Sequence, residues 1–367
     1  MVTTVLTPPA LNRALLARQQ LLRRAETPVP ETLHRLVGLQ AQLPSAPYVG
    51  LWSRVAGFTA DRLAGPMADR TVLRITAMRG TIHTLTAADC LDLRPRLRPV
   101  LDRFLRTLRA RLDGLDLDQV TAAARELVEQ QPRTYHELGR ALADRWPGYD
   151  PAALGHVARC RLALVQVTPR GLWGRGGRAA HTTAEHWLGA PLGTGTGPEP
   201  LVLRYLAAFG PATAADVQTW SGLTGLRAVL DRLRPRLVTF RSTDGAELFD
   251  LPDAPRPAAD TAAPVRFLPP LDNLLLSHAD RSRVIPAPYR HHLQSPNGLL
   301  PGVLLLAGMV RGSWTDDTGR DGARLTVTPF KALSARDTTA VTAEGRRLLA
   351  FLSPESGSRE VRIAPVP

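Results

Sequence analysis

Residues 31–44 read ETLHRLVGLQAQLP, and the first part of this stretch has the period of a helix. Apolar side chains recur at Leu33, Leu36 and Val37, three or four residues apart along one face. We therefore predict a helix over residues 31–39. The rest of the stretch has a different pattern, because Pro44 disfavours the helical conformation at the residue before it.

A helix before this stretch and a strand pair after it complete one structural unit. Apolar residues over 11–24 have nearly helical spacing. Residues 72–85 alternate and are rich in β-branched residues, which predicts two strands that turn at Arg79 and Gly80. Helix, helix and hairpin in this order is the plan of a winged helix.

The same plan recurs twice further along the chain. The second occurrence is a helix capped by Thr134, a helix that begins at Pro151 and a strand over 164–168. The third is a set of helices over 201–209, 214–221 and 225–233, followed by a hairpin over 237–251 that turns at Asp244-Gly245. The sequence thus predicts an α+β protein with three tandem winged helix-turn-helix modules.

A mixed unit is predicted to close the chain. Residues 252–264 are rich in Pro, Ala and Asp, which is typical of a linker. Beyond it, strands are expected over 303–310 and 325–328 and a helix over 341–352. We accordingly divide the chain into a first module with the glutamine motif, two further modules and a C-terminal α/β unit, at 1–115, 116–195, 196–256 and 257–367.

The charge of the chain indicates a polyanionic partner. The formal net charge is +13 over 367 residues, and nucleic acid is the commonest polyanionic partner of a basic soluble protein. Nearly all the positive charge is arginine, whose guanidinium group binds phosphate through two hydrogen bonds, and Lys331 is the sole lysine. High-GC codon usage also enriches arginine.

Other classes of protein lack support in the sequence. No apolar stretch approaches the roughly 20 residues that span a bilayer, and the first residues have no secretory pattern, so a cytoplasmic protein without a membrane partner is expected. Cys90 and Cys160 lie too far apart for a metal knuckle and are expected to be buried free thiols. The motifs of zinc proteases, zinc fingers and serine hydrolases do not occur, and we expect neither a metal nor a cofactor.

Gln40 and Gln42 form the most informative pair of polar residues. If the chain is extended from Gln40 onward, the two-residue period of a strand places both carboxamides on one face. Amides do not titrate near neutral pH, but they can orient a water molecule and offer carbonyl oxygens to a developing cation. The alternative is a solvated pair of glutamines at a helix end.

These residues carry a resemblance to a known family. The chain resembles the AlkZ-type winged-helix DNA glycosylases, bacterial enzymes that unhook or excise bulky alkylguanines. The resemblance rests on Leu39-Gln40-Ala41-Gln42 and on three further stretches in the family's order. These are residues 78–83 (MRGTIH), residues 268–275 (LPPLDNLL) with 280–283 (DRSR), and the glycine-containing stretch 302–314.

The resemblance implies a fold and a reaction. Three winged helices would form a concave basic surface on duplex DNA, and Gln40 and Gln42 would position the water that attacks the sugar C1′. An N7-alkylated guanine already carries positive charge and needs little acid help to leave. A sister branch of the family has Asp in place of the second glutamine. With Gln42 at this position, the chain resembles the antibiotic-resistance branch. Leu271 stands where the family often has a bulkier aromatic residue.

Several other residues of these stretches are expected to bind DNA or to support the glutamine pair. For His83 the alternatives are contact with DNA phosphate, support of the glutamines, or a structural hydrogen bond. Asp272, Arg281 and Arg283 would place charges near the sugar and phosphates, or form a buried ion-pair network. Trp173 would stack on a base or pack within its own module. The remaining candidates from the matching stretches are Arg79, Thr81 and Asn273.

A further arginine run has the pattern of an amphipathic helical segment. Its members are interleaved with leucines, which is typical either of a solvated face or of a phosphate-binding one. The run comprises Arg94, Arg96, Arg98, Arg103, Arg106 and Arg109.

Through this resemblance, the sequence is predicted to encode a monomeric, monofunctional glycosylase. An enzyme that also cuts the strand normally needs an amine, and Lys331 matches no motif. The rival interpretation is a winged-helix protein without catalysis, either a transcription regulator or a factor that sequesters lesions. Regulators are usually dimers, and no heptad pattern is evident here.

Overall fold

The computed structural model describes residues 4–195, 197–293, 301–319 and 322–366. Its helices are α1 (Pro8–Arg18), α2 (Val29–Arg35), α3 (Ala46–Arg54), α4 (Asp61–Ala68), α5 (Ala87–Arg96), α6 (Arg98–Arg106), α7 (Leu117–Gln130), α8 (Tyr135–Arg145), α9 (Pro151–Arg161), α10 (Ala184–Leu188), α11 (Glu199–Phe209), α12 (Ala214–Ser221), α13 (Leu226–Leu233), α14 (Asn273–Leu276) and α15 (Ala335–Leu352).

The strands fall into three sheets within these ranges. They are β1 (Val5–Leu6), β2 (Leu39–Gln40), β3 (Val72–Thr76), β4 (Ile82–Thr86), β5 (Leu164–Gln166), β6 (His181–Thr183), β7 (Val238–Ser242), β8 (Glu247–Asp250), β9 (Arg266–Leu268), β10 (Gly302–Leu306), β11 (Met309–Thr318), β12 (Ala323–Pro329) and β13 (Arg359–Ile363). The sheet orders are β2-β4-β3-β5-β6, β1-β7-β8 and β13-β12-β11-β10-β9. The molecule is therefore α+β.

Local sequence signals explain many of these elements. Thr134 caps α8 through a capping box with Glu137, and Pro151 starts α9, both as predicted. The predicted strand pair over 72–85 is confirmed as β3 and β4, which are antiparallel. The hairpin of β7 and β8 is likewise confirmed, and residues 252–264 contain neither helix nor strand.

The sheet that contains the glutamine motif draws strands from two of the predicted units. β2, β3 and β4 come from the first, and β5 and β6 come from the second. β3 joins them, because Arg74 and Ile75 pair with Gln166 and Val165 of β5. The first two units thus share one sheet.

Several predicted elements were wrong in their bounds. The first helix, expected from the pattern over 11–24, ends at Arg18, and the last, expected over 341–352, begins at Ala335. The helix expected over 31–39 ends at Arg35, because Val37 and Gly38 adopt positive φ values of 54° and 82° that reverse the chain. Leu39 and Gln40 then form β2. The strand expected over 303–310 is two strands, since Ala307 and Gly308 also have positive φ and turn β10 into β11.

The core joins distant parts of the chain through buried ion pairs as well as apolar contacts. One hydrophobic cluster runs from Leu15 to Phe330, and a second packs α3 against the C-terminal sheet and α15. Arg54 of α3 lies 2.7 Å from Asp272, and both side chains are almost fully buried. Removing one partner from such a pair leaves an uncompensated charge and costs about 3–5 kcal/mol.

Two further sequence expectations concern the cysteines and the membrane. Cys90 and Cys160 are buried free thiols, as predicted. Among the described residues, none of the helices combines the length and the apolar character that crossing a bilayer requires.

Candidate active site

The backbone of Gln40 is fixed by a side chain from the far end of the chain. β2 pairs with β4 on one side, with Gln40 opposite His83. On the other side, the Gln40 N–H donates to Oδ1 of Asn273 at 3.1 Å, and Nδ2 of Asn273 donates to the Gly38 carbonyl at 2.7 Å. The buried Asn273 side chain thus bonds the backbone on both sides of Leu39, and we call this pair of hydrogen bonds the Asn273 clamp.

The side chain of Gln40 is held by Arg79. Nη2 of Arg79 donates to Oε1 of Gln40 at 2.6 Å, and Nη1 donates to the Trp220 carbonyl at 2.6 Å. Arg79 itself sits at a turn with φ of 56°, and the next carbonyl, of Gly80, accepts from Arg159 at 2.7 Å. Burial and the charge of Arg281 lower the pKa of Arg79 to about 10, so the guanidinium is still a cation at neutral pH.

Gln42 is far less constrained than Gln40. Its side chain is exposed, and its Oε1 lies 3.5 Å from the Ile82 N–H, at the limit of a hydrogen bond. The residue between the glutamines is held on both sides, because the Ala41 N–H donates to the Ile82 carbonyl and its own carbonyl accepts from Arg74. Both glutamines therefore lie along β4, Gln40 with its side chain held by Arg79 and Gln42 with its side chain exposed.

His83 lies opposite Gln40 on β4 and is shielded from solvent. It is fully buried, and Nδ1 lies 3.0 Å from the Thr81 carbonyl, so this nitrogen carries the proton and donates. Burial, reinforced by the charge of Arg79, lowers the pKa of His83 to about 3. A neutral, buried ring supports the strand that faces Gln40 but cannot contact a phosphate.

The residues expected beside the sugar separate into buried and accessible groups. Asp272 accepts from Arg54 at 2.7 and 2.8 Å and caps α14, so it is part of a buried ion-pair network. Arg283 is also buried and donates to the Pro211 carbonyl. Arg281 is half-buried, close enough to Arg79 to affect its pKa, and has no ion-pair partner among the described residues.

The other predicted residues have packing roles in the structure. The Trp173 ring lies 4.9 Å from Tyr48 and 5.1 Å from Phe351, which places it against α3 and α15 rather than at a free tip. Thr81 donates its hydroxyl hydrogen to the Met78 carbonyl and so closes the turn that contains Arg79.

The arginine run splits into two parts at the junction of α5 and α6. Arg94 is buried and donates to the Cys160 and Leu162 carbonyls, and Arg96 pairs with Asp92. The later members, Arg98, Arg103, Arg106 and Arg109, are exposed, and all of them except Arg103 line a cavity of about 460 Å³. Its arginines are Arg98, Arg106, Arg109 and Arg161.

Two buried arginines that hold the site were missed from the sequence. Arg74 supports the Ala41 carbonyl from the middle of β3, and Arg54 orients Asp272 beside the Asn273 clamp. The signal that was available for Arg74 is its place in the apolar strand VLRIT, where a charged side chain must be buried and therefore needs partners.

The arrangement suits the placement of a water molecule better than proton transfer. Neither amide titrates, and the one histidine beside the pair is held neutral. Within the described ranges, no group of three or more His, Cys, Asp or Glu side chains could hold a metal ion.

Known proteins resemble this chain over nearly its whole length. An interstrand DNA cross-link repair glycosylase of Streptomyces sahachiroi is 26% identical over 341 residues, which cover 85% of this chain and 88% of the relative. The solved structure of the Streptomyces sahachiroi DNA glycosylase AlkZ matches with a TM-score of 0.80 and 20% identity, over 98% of this chain and all of that one, which shows the shared fold.

A family model covers the site as well as the fold. The model described as DNA glycosylase AlkZ-like matches residues 33–351, which include both glutamines, the Arg79 turn and the Asn273 clamp. A regulator without catalysis is thereby disfavoured. The chain belongs to the AlkZ-like DNA glycosylase family, and it is a hydrolase that acts on N-glycosyl bonds.

Proposed function

We propose that this glycosylase hydrolyses the N-glycosidic bond of bulky or cross-linked N7-alkylguanine lesions in duplex DNA, with Gln40 and Gln42 as its catalytic residues. The observation that carries the proposal is the pairing of an immobilised carboxamide with a free one along β4. The printed name of the Streptomyces sahachiroi relative, an interstrand DNA cross-link repair glycosylase, supports the class of lesion.

The side-chain amides of Gln40 and Gln42 would have different roles in the reaction. Oε1 of Gln40 accepts from Arg79, so this oxygen is already engaged, and the Gln40 amide would contribute its N–H groups. Gln42 has the freer carbonyl oxygen, which can accept a hydrogen bond from the attacking water or face the positive charge that develops on the sugar. An N7-alkylated guanine leaves as a neutral base, so no general acid is required.

An exposed Gln42 suits a lesion that stays in the duplex. A large or cross-linked adduct is hard to extrude into a closed pocket, whereas a surface glutamine can reach a nucleotide that remains in place. We propose that the three winged helices present this edge within a concave basic surface, and that the enzyme acts as a monomer in the cytoplasm. Self-resistance to a DNA-alkylating natural product would be its biological role.

The products would be a free modified base and an intact strand with an abasic site. Strand cleavage by a glycosylase proceeds through a Schiff base on an amine. Lys331, the sole lysine, lies exposed in the segment between β12 and α15. Since Lys331 belongs to none of the stretches that form the glutamine site, we propose a monofunctional reaction.

The proposal is tested with purified protein and a duplex that contains one N7-alkylguanine. Alkali converts each abasic site into a strand break, and wild type is compared with Gln40→Ala and Gln42→Ala. Each variant should lose about 100-fold or more in excision rate while DNA binding persists. Gln130→Ala, an exposed glutamine on α7, is the matched control and should retain activity.

A second arm uses a duplex joined by an interstrand cross-link, with unhooking followed on a denaturing gel. Binding without cleavage across several bulky lesions would overturn the excision proposal and favour a factor that sequesters damage.

A further inference from the structure

Exposed large apolar side chains are few in the described part of the chain, and two of them lie near the glutamine motif, one in sequence and one through the Arg79 turn. The group consists of Val5, Leu43, Phe104 and Val366. Leu43 follows Gln42 directly. Phe104, on α6, is 50% exposed and is the one aromatic residue of the group.

Phe104 lies against the turn that holds Gln40. A methyl group added at Gly80 would come within 2.5 Å of Cε2 of the Phe104 ring, so the ring covers this glycine closely. Gly80 follows Arg79, whose guanidinium binds the Gln40 carboxamide. The Phe104 ring therefore packs on the turn that carries Arg79, the residue that holds Gln40.

The surroundings of Phe104 are positively charged. Its neighbour Arg103 donates to the Gly222 carbonyl at 2.9 Å, and Gly222 is packed close to the Cα of Arg79. Arg106 and Arg109 are exposed and have no acidic partner among the described residues. An exposed aromatic ring on a helix that also carries exposed arginines fits a partner with anionic phosphates and flat apolar bases, which describes a nucleic acid.

We propose that Phe104 stacks on a nucleobase beside the lesion and wedges the duplex open there, while Arg106 and Arg109 hold the phosphates and Leu43 contacts a base next to Gln42. This inference rests on the proposed excision from duplex DNA. Proteins that deform DNA insert Phe and Leu between base steps in this way, and a stacked base contributes about 1–3 kcal/mol. The gap so opened would give Gln42 access to C1′.

The test compares a fully paired duplex with a bubble in which the pairs next to the lesion are already mismatched. Phe104→Ala should slow excision from the paired duplex roughly 5- to 100-fold, and should stay within about 2-fold of wild type on the bubble. Phe104→Trp should retain activity on both. Val366→Ala removes an equally exposed apolar side chain and should change neither rate.

The unstacking of the neighbouring base can be measured independently of catalysis, with the fluorescent base 2-aminopurine placed next to the lesion. Wild type should raise its fluorescence by unstacking it, and Phe104→Ala should not. An equal loss of excision on both substrates would mean that Phe104 merely supports the Arg79 turn, and would overturn the inference. If wild type unstacks the probe but excises nothing, the proposed function fails while the wedge stands.

Discussion

At the scale of single residues, the Asn273 clamp decides where the Gln40 carboxamide points. Asn273 uses both ends of its amide on the backbone around Leu39, and Arg79 then fixes the side-chain oxygen. A misplacement of about 1 Å at a catalytic group costs on the order of 100-fold in rate. Asn273 is therefore a positioning residue, since it acts through Gln40.

Replacing Asn273 by Ala should lower kcat about 100-fold with little change in the affinity for lesion DNA. It should also cost roughly 2–4 kcal/mol of stability, because a buried N–H and a buried carbonyl lose their partner. Asn12→Ala is the control: Asn12 is equally buried and donates to the Arg283 and Gly308 carbonyls. That variant should lose comparable stability but keep its turnover. If both variants lost turnover, the result would contradict the claim that Asn273 positions Gln40 and would indicate a purely structural role.

At the scale of elements, the reversal between α2 and β2 creates the site. The helix ends because Val37 and Gly38 have positive φ, and the reversal delivers Leu39 and Gln40 to the edge of β4. Gly38 has no room for a side chain: an added Cβ would lie 2.3 Å from Cδ2 of Leu85 and 2.8 Å from the Thr84 carbonyl oxygen.

We expect Gly38→Ala to destabilise the protein by several kcal/mol, since the positive φ and the clash with the backbone of β4 both oppose a methyl group. Gly57→Ala is the matched control. Gly57 has a positive φ of 58° but open space around it, so its replacement should cost only about 1 kcal/mol. Urea unfolding measures both changes, and equal losses would show that the contact with β4 is unimportant.

At the scale of the whole molecule, the burial of three histidines links stability to pH. Burial lowers the pKa of His83 and of His278 to about 3, and that of His181 to about 4. The unfolded chain, in which histidine has a pKa near 6.5, therefore binds more protons than the folded one below that pH. Stability is fully present above pH 6.5 and is lost as the pH falls toward 3.

Between pH 7.5 and 5.5 the free energy of unfolding should fall by roughly 1.4 kcal/mol for each of these histidines, or about 4 kcal/mol together. Chemical denaturation at the two pH values measures the difference. His136→Gln alters an exposed histidine and should leave the pH dependence unchanged. A stability that did not vary over this range would contradict the buried, neutral state of the three rings.

The whole molecule also explains why the modules are not independent. Asn273 and Asp272, from the C-terminal unit, complete a site that begins near residue 38, and Arg54 locks the two together through its ion pair with Asp272. The boundaries at 115, 195 and 256 remain predictions, as does the arrangement of three winged helices. β5 and β6 nonetheless extend the sheet of the first unit.

The amino-acid sequence was sufficient to predict the features that depend on near neighbours along the chain. The strand pair around Arg79, the cap at Thr134 and the start of α9 at Pro151 follow from local backbone preferences, and the glutamine motif identified the family. Only the tertiary structure decided which glutamine is fixed and which is free. That difference depends on Asn273 and Arg79, which lie 233 and 39 residues from Gln40 along the chain. Periodicity specifies which face a residue occupies but not which distant partner meets it, because such contacts form only when separate elements pack.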